Sequence, residues 1–105
     1  MLIHKNPILK MNVIINQLFE IEKKALEQNF NGFERNLKRI YNELEEKGYK
    51  IINPLGTNYD ERDSSIEANI LNSNSKKITK VIRPTIYKTE NDALQLVQKA
   101  VVIVE

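Results

Sequence analysis

Leu44-Glu45-Glu46-Lys47-Gly48-Tyr49-Lys50-Ile51-Ile52-Asn53-Pro54-Leu55-Gly56-Thr57-Asn58-Tyr59-Asp60 is the stretch in which the chain changes its periodicity. Before it, apolar residues recur at helical spacing. Lys47 suits the negative end of a helix dipole, and Gly48 can take the left-handed conformation that closes a helix. Tyr49, Ile51 and Ile52 then predict a short strand, and Pro54, Gly56 and Asp60 mark a structured loop. A helical first part followed by a strand-rich second part predicts an α+β fold.

Working back from Gly48, Phe33, Leu37, Ile40 and Leu44 repeat by four, three and four, with Tyr41 beside them. Asn31 is a candidate cap for this helix, with Glu34 placed to return a bond. Asn31-Gly32 separates it from an earlier helix running from Ile8 to about Gln28, with Pro7 suited to its first turn. On a helical wheel Ile8, Met11, Ile14, Ile15, Leu18, Phe19, Ile21 and Ala25 fill an arc of roughly 160°, wider than the ~100° that one packed neighbour needs. Two helices joined by a short turn form an antiparallel hairpin with an uncovered face. Pairing two copies gives a four-helix bundle, so a homodimer is expected, with Ile8, Met11, Ile15, Leu18 and Phe19 at its interface. The expected division is a dimerising helical hairpin over residues 1–48 and a small, mostly antiparallel β-domain over 49–105.

Working forward, Ile66, Ala68 and Ile70 alternate with Glu67, Asn69 and Leu71 as in a half-buried strand. Asn72-Ser73-Asn74-Ser75 is a turn. Lys77–Arg83 predicts a strand, with Pro84 indicating an edge or a bulge. Lys88–Asp92 is polar and loop-like. The run Ala100-Val101-Val102-Ile103-Val104 predicts a strand covered on both faces.

Composition restricts the function. There are 16 basic and 14 acidic side chains, in similar balance on both sides of Gly48, which argues against a dedicated nucleic-acid binder. No cysteine is present, which removes disulfides and thiol chemistry and fits a cytoplasmic protein. His4 is the only histidine, and no Ser/Asp pattern supports a catalytic role for it. Asp60, Glu61 and Asp63 lack the spacing of a calcium loop, and Gly48 and Gly56 form no phosphate fingerprint. The expectation is a non-enzyme with no catalytic residue, metal or cofactor. Lys76, Lys77, Lys80, Arg83 and Lys88 form a basic cluster, read as a charged strand face or as steering towards an acidic partner.

The passage Gly48, Ile51, Ile52, Pro54, Gly56, Tyr59, Asp60, followed by Glu67-Ala68, Tyr87 and the closing Ala100, Val102, Val104, resembles the head of GrpE-type nucleotide exchange factors. The resemblance covers about residues 11–105. It departs at Ile66, where the family usually has His, and at Ile86, where it has Gly. With only about ten residues before the matched segment, a short form lacking the family's long N-terminal helix is expected, and Leu94, Gln95 and Gln98 fall near positions where the family has Gly-Arg and a further Arg. The resemblance implies a co-chaperone that binds the ATPase domain of a DnaK-type chaperone and promotes ADP release. Arg83, Tyr87, Lys88, Gln95 and Lys99 are the expected partner contacts. The alternatives are a dimeric adaptor of the same fold without exchange activity, and a small nucleic-acid-binding module using the Lys76–Lys88 cluster.

Overall fold

The computed structural model describes residues 7–105, with side chains described from Met11 onward. His4 and the Ile8 side chain therefore lie outside the described residues. The element order is α1 (Pro7–Glu27), α2 (Glu34–Glu46), β1 (Tyr49–Ile52), β2 (Ile66–Ile70), β3 (Ile78–Arg83), β4 (Thr85–Glu90), β5 (Ala93–Gln98) and β6 (Ala100–Val104).

Helix α1 ends in a Schellman motif. Asn29 takes a φ of 53°, the Phe30 N–H reaches back to the Ala25 carbonyl and the Asn29 N–H to that of Leu26. The expected Asn31 cap is not formed: α2 begins after Phe33, which makes no side-chain capping bond, and Asn31 supplies only its backbone carbonyl to the Glu34 N–H. Gly48 closes α2 as expected, with a φ of 92° and its N–H bonded to the Glu45 carbonyl. The short turn brings α2 back beside α1, where the Tyr41 hydroxyl donates to the Glu22 carboxylate at 3.3 Å.

The strands form two three-stranded sheets, ordered β1-β4-β5 and β2-β6-β3. Every pairing is antiparallel except β2 with β6, which is parallel. Both sheets are built on one long ribbon. β3 and β4 are consecutive, broken at the buried Pro84, and β5 and β6 are consecutive, broken at Lys99. The ribbon turns at Asn91 and Asp92, whose φ angles of 52° and 63° are those a two-residue hairpin turn requires. The polar stretch Lys88–Asp92 is thus the end of a strand and a tight turn, not a loop. The long connection between β1 and β2 is held to the edge of β3: the Gly56 N–H donates to the Ile78 carbonyl, the Ile78 N–H to that of Thr57, and the Tyr59 N–H to that of Lys76. Gly56 sits there at a φ of 83°, a conformation that favours glycine.

Two apolar clusters hold the elements together. The first joins Ile15 and Leu18 of α1 to Leu37 and Leu44 of α2 and to Tyr49 and Ile86 of the first sheet. The second joins Phe19 of α1 to Ile78, Val81, Ala100, Val102 and Val104 of the second sheet, with Tyr59 packed against it. Position 48 therefore separates elements but not cores, because both clusters take residues from each side of it. In β6 only one face is fully covered: Ala100, Val102 and Val104 are buried, while Val101 and Ile103 on the other face are half-buried.

The neighbours Ile14 and Ile15 show which way α1 points, being 56% and 0% exposed. Ile15→Ala is expected to cost ~2–5 kcal/mol as a buried large-to-small change. Ile14→Ala should stay within about 0.5 kcal/mol. Urea unfolding of dilute protein measures both, and equal losses would contradict the orientation.

Candidate partner-binding surfaces

The residues expected at a helical dimer interface fall elsewhere. Ile15, Leu18 and Phe19 are buried against the chain's own helix and strands, and Met11 packs on the first cluster. This corrects the expected interface, because a face consumed by intramolecular packing is closed to a second copy. The wide arc on α1 is explained by α2 and both sheets together. What remains open is its flank.

Ile14 and Ile21 on α1, Phe33 at the N-cap of α2 and Ile40 on α2 are exposed. They share one side of the hairpin. On α1, Glu22 lies about 40° to one side of Leu18 and Ile21 about 60° to the other. On α2, Tyr41 and Ile40 flank Leu37 in the same way, by about 40° and about 60°. The hydrogen bond between Tyr41 and Glu22 brings one pair of flanks together, which leaves Ile21 and Ile40 together on the opposite side. Ile14 and Phe33 lie about two turns along on those same flanks. Ile15 and Phe19 fall on the Glu22 side, towards the sheets, so the exposed row faces away from them. All four stand at helical spacing in the sequence, but spacing alone does not separate the rim of an apolar face from its centre.

The expected partner contacts do not form one patch. Strand alternation puts Tyr87 and Lys88 on opposite faces of β4. Lys88 is paired with Tyr49 on one side and Gln95 on the other, on the face that carries Ile86 and the first cluster. Its ammonium sits 5.2 Å from the centre of the Tyr49 ring and donates to the Thr89 carbonyl at 3.2 Å, a cation–π contact that fixes it within the fold. Tyr87 lies between Lys50 and Leu96 on the outer face. Leu94 and Leu96 extend that outer face, and neither is among the expected partner contacts. Arg83 is exposed at the end of β3, opposite Val101, and Lys99 is exposed at the break between β5 and β6.

The acidic loop is accounted for locally. Asp60 accepts bonds from the Arg62 backbone N–H at 2.9 Å and from its guanidinium at 2.8 Å, which lowers the Asp60 pKa. Asp63 accepts from the backbone N–H and hydroxyl of Ser65. Among the described residues no group of acidic or histidine side chains is arranged to hold a metal ion. No described helix is long and apolar enough to cross a membrane. Compared with known proteins, the chain matches no family model, no curated protein and no solved structure.

Burial, then the charge of Glu22 and the hydrogen bond to it, raise the Tyr41 hydroxyl well above its ordinary pKa of 10.0. Burial, then Glu90, raise that of Tyr49 from the same value. Folding therefore favours the neutral hydroxyls. Their contribution is whole below the unfolded pKa and is lost as pH climbs above about 10. Urea unfolding at about pH 8 and about pH 11 should show this loss, and Tyr41→Phe should make it smaller. An unchanged alkaline loss in that variant would contradict the role given to Tyr41.

Proposed function

We propose that this chain is a GrpE-like co-chaperone, a homodimer whose β-region binds the ATPase domain of a DnaK-type chaperone and promotes ADP release. The observation that carries the reading is the arrangement of the residues behind the resemblance. Gly48 and Gly56 hold positive φ angles at a helix end and a loop, Pro54 is buried, and Tyr59 packs on the second cluster. These residues join a helical pair to a six-stranded β-region, the order that the resemblance implies. The exposed row Ile14, Ile21, Phe33 and Ile40 supports self-association through the outer side of the hairpin, in place of the buried residues first expected there.

Exchange would arise from differential binding. A factor that prefers the open ATPase domain to the closed, ADP-bound one shifts that equilibrium and speeds release without covalent chemistry. The second reading, an adaptor that binds without exchange, is favoured by one observation: the candidate contacts divide between two sheet faces, and Lys88 is engaged with Tyr49.

ADP release from a DnaK-type chaperone, followed with a fluorescent nucleotide, is expected to accelerate on adding the protein. No acceleration at saturating concentration, with a complex still formed, would replace the first reading by the second. The doubly substituted Ile21→Lys/Ile40→Lys protein should scatter light as a monomer where the unaltered protein scatters as a dimer. A monomer in both cases would remove the dimer from the proposal.

A further inference from the structure

Four strand edges bound the two sheets, and three of them are blunted. The edge of β3 is bonded to the preceding loop at Ile78, through Gly56 and Thr57, and carries Lys80 and Arg83 beyond it. β2 carries Glu67 within its five residues, and β1 is four residues long, carries Lys50 and lies beside α2. β5 is different. Its six residues, Ala93-Leu94-Gln95-Leu96-Val97-Gln98, contain no charge, proline or glycine. An uncharged edge of this length is the kind that folded proteins usually protect.

The protection covers only one end. There α1 crosses the strand: the Asn12 amide donates to the Val97 carbonyl, and the Asn16 and Gln98 side chains exchange bonds of 2.8 and 2.9 Å. Along Ala93–Leu96 the only described backbone partner is β4 on the inner side. Leu94 and Leu96 stand on the outer face, 52% and 39% exposed.

We propose that the Ala93–Leu96 edge pairs with the same edge of a second copy, antiparallel about a two-fold axis. The sequence is self-complementary in that arrangement. With Gln95 opposite Gln95 of the second copy, Leu94 falls opposite the second copy's Leu96, and these leucines share a face because residues of the same parity do. The strand ends carry opposite charge, Asp92 before it and Lys99 after it. Antiparallel pairing brings Asp92 of each copy towards Lys99 of the other. Tyr87 stands beside Leu96 in the register and extends the joined apolar row. The pairing makes few backbone bonds, so it is weak and concentration-dependent. It is separate from the helical row and does not rest on the co-chaperone reading.

The test is made in the Ile21→Lys/Ile40→Lys protein, which silences the helical row. Sedimentation and amide hydrogen exchange are compared at low and high protein concentration. The expected result is a rise from one copy towards two, with exchange at the outward-facing Leu94 and Leu96 amides slowed several-fold. Both effects should vanish in the additional Leu94→Lys variant, which sets a charge opposite the second copy's Leu96 and diagonal to a like charge, with the circular dichroism unchanged. The same exchange comparison on the unaltered chain serves if the substituted proteins do not fold. Exchange at the Leu94 and Leu96 amides that is independent of concentration overturns the proposal. So does protection there that arises only when a different protein is added.

Discussion

Helix α1 is shared between two cores, and the rest of the molecule depends on that sharing. Ile15 and Leu18 belong to the cluster under the first sheet, and Phe19 to the cluster under the second. Each sheet has three strands and an apolar face that must be buried against another element. One helix supplies that packing to both, while the bent ribbon of β3–β6 joins them through the backbone. This consumes the centre of the apolar face and leaves only its rim for another molecule.

The crossing of α1 over β5 adds polar specificity to this apolar joint. The Gln98 amide binds both Asn16 and the Pro84 carbonyl, so it ties the helix to the break in the ribbon. Asn12 is buried beside it, and its Oδ1 has no partner among the described residues. The same crossing shields one end of the β5 edge and leaves the other open, which ties the packing of the fold to its capacity for association.

Much of the architecture was legible in the sequence, for identifiable reasons. Gly48 marked the end of α2 because a positive φ is inexpensive for glycine. Alternation revealed β2, and Pro84 marked a real break. The tight turn between β4 and β5 was not legible, because Asn91 and Asp92 reach positive φ without the glycine that usually signals such a turn. Asn31 offered a capping side chain, but the preceding turn places Phe33 at that position instead. Ile14 and Ile15 were indistinguishable by composition. Only the angle at which the sheets meet the helix separates an exposed isoleucine from a buried one. Of the candidate contacts, Lys88 looked like surface charge because its partner Tyr49 lies far away in sequence, on β1.

That α1 is buried by its own chain is the claim on which the fold, the exposed row and the open edge all rest. It is tested most directly by methyl nuclear Overhauser contacts from Ile15, recorded on uniformly labelled protein and on a mixture of labelled and unlabelled chains. The account predicts contacts between Ile15 and methyls of Leu44 or Ile86 that arise within one chain. Ile15 contacts that arise only between chains, with Ile86 solvent-accessible, would contradict it.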